Sequence, residues 1–180
     1  MTASKDFFKK FAGDTWIETG TYIGDGISQA VDAGFKRIIS IELSKSFVED
    51  ATKKFESNKN VQIINARAHD VLFDVLNGLS NDKIVFWLDA HYSMCGTAGE
   101  DDPNPILKEL DAIKRWKKNS KSQTPTILID DMRTFTYDNC GFSEKEILAS
   151  LSEIDVNYQY RKEDGMNKNF LNDVLVAFIS

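Results

Sequence analysis

Along the chain, short unbroken apolar runs alternate with stretches in which apolar residues recur every three or four positions. Residues 15–18, 37–43, 61–65, 84–89 and 126–130 read as buried strands. Between them, residues 25–34, 46–55, 71–79 and 105–117 carry helical spacing, with Gly34 placed to end the first of these helices. Phe7, Phe8 and Phe11 predict a short amphipathic helix over 4–12. After Ser143 the pattern changes. A helix over 144–151 precedes strands over 158–162 and 174–179, and the Gly- and Asn-containing loop between them suits an antiparallel hairpin.

Strands that are apolar throughout need cover on both faces, and their alternation with helices implies a largely parallel sheet. The expected fold is α/β: a doubly wound, seven-stranded sheet closed by a C-terminal antiparallel hairpin, with 1–180 forming one domain. Ligands of such sheets sit beyond the carboxyl ends of the strands, where the strand order reverses. Glu18, Gly20, Gly24, Glu42, Asn65, Asp89, His91, Asp130 and Asp131 all fall at or just after predicted strand ends.

Charge narrows the partners. A net charge of −6 with a pI near 5.0 disfavours a broad basic face for nucleic acid, and the basic run at 114–118 reads as the solvated end of a helix. No apolar stretch reaches the roughly 20 residues needed to span a bilayer, and no signal pattern follows Met1, so a cytoplasmic protein without membrane contact is expected. Cys95 and Cys140 lack a metal-type spacing and read as free thiols. Oligomeric state and membership of a longer polypeptide stay open.

The stretch WIETGTYIGDGIS (16–28) joins the first strand to three glycines with Glu18 at the junction. Glycines there let the backbone approach a ligand closely, and Glu42, 22 positions after Gly20, stands where an acid accepts hydrogen bonds from two ribose hydroxyls. A phosphate-cradling loop is disfavoured, because the G-x-x-x-x-G-K-[ST] pattern is absent and Glu18 would repel a pyrophosphate. A nucleoside carrying positive charge, such as S-adenosylmethionine, suits the acid better. Asp89, Asp130 and Asp131 end neighbouring strands, and clustered carboxylates raise one another's pKa unless a cation offsets them. Mg²⁺, or Mn²⁺ in its place, fits such oxygen ligands. The bland alternatives are a turn at Asp130-Asp131 and a structural role for His91. Asp70 reads as a helix N-cap. Tyr22 and Tyr92 are candidates for lining a pocket, and residues 93–104 are either a flap or a plain loop. Arg133 and Thr134 follow the aspartate pair within reach of an acceptor.

The segments IETGTYIGDG, ISIELS and FWLDAH together resemble the motifs of class I S-adenosylmethionine-dependent methyltransferases, which have a Rossmann-like fold. The resemblance spans nearly the whole chain, with Tyr22 standing at the middle glycine position of the usual acid-x-Gly-x-Gly-x-Gly pattern. It implies cofactor contacts from Glu18, Gly20, Thr21, Tyr22, Gly24, Ser28, Glu42, Leu43 and Asp89, with Ala66, Arg67 and Ala68 flanking the adenine and His69 and Asp70 nearby. LDAH and IDD resemble the metal-dependent sugar O-methyltransferases of the macrocin and noviose type. That implies Asp89, Asp130 and Asp131 as metal ligands, His91 as general base, and a small-molecule or glycan hydroxyl as acceptor. Two other readings remain: a metal-independent methyltransferase of the same fold, and a non-catalytic Rossmann-like binding or scaffold module.

Overall fold

A computed structural model describes residues 5–11, 13–79, 82–91, 98–164 and 170–180. The strands are β1 (Thr15–Thr19), β2 (Arg37–Glu42), β3 (Val61–Asn65), β4 (Ile84–Leu88), β5 (Thr126–Ile129), β6 (Gln159–Glu163) and β7 (Val174–Phe178). The helices are α1 (Lys5–Phe8), α2 (Asp25–Ala33), α3 (Lys45–Lys54), α4 (Ala68–Asn77), α5 (Ile106–Asn119), α6 (Tyr137–Cys140) and α7 (Glu144–Ile154). The sheet runs β3-β2-β1-β4-β5-β7-β6, parallel except where β7 pairs antiparallel with β5 and β6. This is the expected Rossmann-like, seven-stranded architecture with its terminal hairpin. Strand order reverses between β1 and β4, which opens a cleft at their carboxyl ends.

Alternation along each strand divides the core into two layers. Ile17, Ile39, Phe86, Ile127 and Ile129 face α4, α5 and α7, where they meet Leu72, Leu110, Trp116 and Leu151. Trp16, Ile38, Val85, Trp87 and Leu128 face α1 and α2 with Phe7, Phe8 and Ile27. Trp16 and Trp87 stack with ring centroids 6.2 Å apart, and Phe8 caps both. The central strands are apolar throughout because both faces are covered. β6, at the edge, is largely exposed and reads QYRKE, charges that blunt pairing with another chain.

The same alternation corrects the placement of Glu18. It shares a face with Trp16, so its side chain turns into the α2 layer and is 1% exposed. Ser40 Oγ donates to Glu18 Oε2 at 2.6 Å and sits 2.6 Å from Thr21 Oγ1. A Cβ on Gly26 would stand 1.6 Å from Glu18 Oε1, so only glycine fits opposite the buried acid. Burial pushes the Glu18 carboxyl up to about 8, against the opposing Ser40 hydrogen bond. Helix α4 also begins earlier than its apolar spacing suggests: Arg67 holds the N-cap position and Asp70 lies in the first turn, where an acid favours the positive end of the helix. Cys140 is a free thiol, whereas Cys95 lies outside the described residues.

Gly26→Ala should therefore lower stability by roughly 1–3 kcal/mol through overpacking. Adding Glu18→Ala should recover part of it, which a double-mutant cycle in urea measures. Glu18 also makes stability pH-dependent. Between its ordinary value of 4.5 and about 8, the folded chain keeps a proton that the unfolded chain has lost. Raising pH through this window then favours unfolding by up to about 1.4 kcal/mol per pH unit, and the effect ends above it. Glu18→Gln should remove that share of the slope in urea titrations at a series of pH values.

Candidate active site

The cleft at the reversal has a volume of about 410 Å³. Gly20, Tyr22, Ile41, Glu42, Leu43 and residues 66–68 line one end, and Asp89, Ala90, His91, Asp130, Asp131 and Arg133 the other. Ala98, Gly99, Asp102 and Pro105 close the side between them. Strand register explains the grouping: Thr19 pairs with Ile41 and Leu88, and Leu88 with Ile129, so the residues that follow all emerge at one edge.

Glu42 organises the first end. Its Oε2 accepts from the backbone N–H groups of Thr21 at 2.9 Å and Tyr22 at 3.0 Å, and its Oε1 accepts from Ser44 N–H at 2.7 Å. One carboxylate thus fixes the turn after β1 and the turn after β2. Gly20 adopts φ 83, and a Cβ there would lie 2.7 Å from the Asp89 carbonyl oxygen, so the turn can lie flat against the β4 end only as glycine. Tyr22, at the middle glycine position, keeps a left-handed backbone with φ 48 and rests its ring edge-on to Phe47 at 4.9 Å. The loop therefore follows a glycine-like path despite the side chain.

The second end concentrates charge. His91 bridges two acids: Nδ1 lies 3.3 Å from Asp89 Oδ1, and Nε2 lies 3.1 Å from Asp131 Oδ2. The hydrogen bond to Asp89 raises the His91 pKa above its ordinary 6.5, with burial opposing. Burial raises Asp89, and burial with the Asp89 and Asp131 charges pushes Asp130 up to about 8. Asp131 has φ 55, and its N–H donates to Asp130 Oδ1 at 2.9 Å. Arg133 pairs with both Asp131 and Asp173, and its guanidinium lies 4.0 Å from the Phe170 ring centroid.

Most residues expected at the site meet in this cleft, but Glu18, Thr21, Gly24 and Ser28 do not line it. Glu18 faces the α2 layer, Thr21 is buried against Ser40, and the Ser28 hydroxyl donates to the Gly24 carbonyl. The expected triad of Asp89, Asp130 and Asp131 is divided. Two sets of donor atoms converge within 4.8 Å among the described residues: Asp89, His91 and Asp131, and Asp130, Asp131 and Asp173. Asp173 escaped the sequence reading because it precedes the last strand. Only the antiparallel run of β7 beside β5, with Ile129 opposite Leu175, brings that leading residue to the carboxyl edge. Tyr92 and residues 93–97 lie outside the described residues. Residues 98–104 contribute Ala98, Gly99 and Asp102 to the wall, and Arg67 ties to Asp101 through Nη2 at 2.9 and 3.0 Å.

No protein-family profile and no curated protein sequence matches the chain. Solved structures do. An O-methyltransferase from Bacillus cereus in complex with SAH aligns with a TM-score of 0.66 and 12% identity, covering 98% of this chain and 78% of its own. SAH-bound methyltransferase PaMTH1 from Podospora anserina gives 0.62 and 12%, with 98% and 76% covered. Fibrillarin from Aeropyrum pernix, with S-adenosyl-L-methionine bound, gives 0.60 and 14%, with 93% and 67% covered. The fold is that of the class I S-adenosylmethionine-dependent methyltransferases. Among the described residues, no helix is long and apolar enough to cross a membrane.

Glu42→Ala should free three backbone N–H groups and lower stability by roughly 1–3 kcal/mol. Glu42→Gln, which keeps an acceptor oxygen, should lose less. Thermal unfolding of the ligand-free variants checks the order.

Proposed function

We propose that the protein is an S-adenosylmethionine-dependent O-methyltransferase acting on a hydroxyl of a sugar, glycan or similar small molecule. The observation that carries this reading is Glu42, held by three backbone N–H groups in the wall of a cleft that also contains Gly20 and the carboxylates of Asp89 and Asp131. The donor set fits the cofactor: Glu42 for ribose hydroxyls, and Ile41, Leu43, Ala66 and Ala68 for an adenine ring. Bound there, S-adenosylmethionine supplies an electrophilic methyl group. Asp89 and His91 lie at the end of the cleft where the acceptor enters. His91 would act as base from its neutral form: with Nδ1–H held by Asp89 and Nε2 released from Asp131, Nε2 takes the hydroxyl proton and Asp89 stabilises the imidazolium that forms. Holding the acceptor oxygen in line with the methyl carbon supplies much of the remaining acceleration.

A divalent cation forms part of this proposal. The all-oxygen set of Asp130, Asp131 and Asp173 suits Mg²⁺ or Mn²⁺ and leaves His91 free to act as base, whereas an ion on Asp89, His91 and Asp131 would take His91 out of that role. Burial raises the Asp130 pKa and the neighbouring Asp89 and Asp131 charges add to the shift, which a bound cation would offset. Such an ion would acidify an acceptor hydroxyl. Arg133 supports the second reading, a metal-independent enzyme, because its guanidinium already joins Asp131 and Asp173. The scaffold reading loses its main support, since Tyr22 keeps the glycine-like backbone that its identity called into question.

Calorimetry with S-adenosylmethionine should show binding that Glu42→Ala weakens by about tenfold or more, as expected for losing hydrogen bonds to a charged group. Unchanged affinity would remove Glu42 from the cofactor site, and no binding in the native chain would return the scaffold reading. In an acceptor screen starting from sugars, EDTA should abolish turnover and Mn²⁺ or Mg²⁺ restore it. Full activity in EDTA would leave the aspartates to hydrogen bonding and favour the Arg133-compensated, metal-free site.

A further inference from the structure

Glu109 takes no part in the reaction proposed above, yet it is placed as no ordinary helix residue would be. It sits on α5 with 1% exposure, on the sheet face opposite Glu18. Its Oε2 receives the Thr19 hydroxyl at 3.4 Å, a long hydrogen bond, and its Oε1 is buried without a partner among the described residues. An unsatisfied buried carboxylate oxygen is costly. Thr19 Oγ1 in turn lies 3.3 Å from the Asp89 N–H, so Glu109 already touches the network that ends β1 and β4. Between Glu109 and the acidic end of the cleft is a small recess of about 10 Å³, bordered by Glu109, Asp89, His91, Asn104, Asp130 and Phe135. That volume is at the lower bound for one water molecule, and the lining offers the two or more polar partners a buried water requires.

We propose that Glu109 is a positioning residue: it anchors one buried water that donates to Glu109 Oε1 and to a carboxylate oxygen of Asp130, and so fixes the aspartates from behind. The water's two hydrogens meet two acceptors, which satisfies the orphaned oxygen. Asp130 Oδ1 already accepts from the Asp131 N–H, so a second hold on this carboxylate sets the pair from both sides. The consequence for acceptor alignment rests on the methyltransferase reading, but the water and its effect on the cluster do not.

The test therefore uses the ligand-free protein. In a high-resolution crystal structure, a water should bridge Glu109 and Asp130, persist in Glu109→Gln, and vanish in Glu109→Met, whose thioether fills the space. The chain has two histidines, which gives an internal control. At fixed pH, the ring NMR signals of His91 should shift in Glu109→Met and return close to native in Glu109→Gln, while those of His69 stay in place. Absence of the water from the native crystal, or a direct protein partner on Oε1, would overturn the proposal. So would equal His91 signals in all three proteins. A native-like water and His91 response in a chain that fails to bind S-adenosylmethionine would uphold the positioning role and reject only the enzyme reading.

Discussion

The carboxylate of Glu42 is the constraint on which the cleft depends. Parallel strands end without hairpins, so the chain leaving β1 and the chain leaving β2 each expose N–H groups that no ladder satisfies. Glu42 collects three of them, from Thr21, Tyr22 and Ser44, and thereby sets two loops at once. An acid can do this where an amide would do less, because it offers acceptor oxygens only and carries the charge that strengthens each bond. The same group faces the cleft, so the structural and the proposed binding roles draw on one side chain.

Opposite Glu42, the cleft holds more negative charge than burial alone would tolerate. The chain answers with two internal partners of different kinds. His91 spans Asp89 and Asp131, and Arg133 spans Asp131 and Asp173, so Asp131 is shared while Asp130 keeps only a backbone donor among the described residues. Burial, with the Asp89 and Asp131 charges, pushes Asp130 up to about 8. An arrangement with one under-compensated carboxylate beside three bridged ones is suited to exchanging an internal partner for an external one, whether acceptor hydroxyl or metal ion. Glu109, behind the cluster, adds a further buried acid whose position is explained if it reaches the others through solvent.

Much of this was legible in the sequence. Continuous apolar runs ending in Glu42, Asp89 and Asp130 gave the parallel strands and the edge where polar residues gather, because a strand covered on both faces has room for charge only where it ends. The Gly20 turn and the terminal hairpin followed from local turn chemistry. Spacing could not show which face each end residue takes. Glu18 is one residue from the edge and turns inward, so its buried acid supports the loop through Ser40 while staying out of the cleft.

The sequence by itself determined the layers, the strand count and most of the residues at the carboxyl edge, since these depend on periodicities of two and 3.6 within short windows. Only the tertiary structure decided how the acids group. Asp173 joins Asp131 because β7 runs antiparallel beside β5. Glu109 lies behind Asp89 because α5 packs across that face. These are contacts between residues from 20 to more than 40 positions apart, fixed by strand order and helix packing, and no local pattern in the chain encodes them.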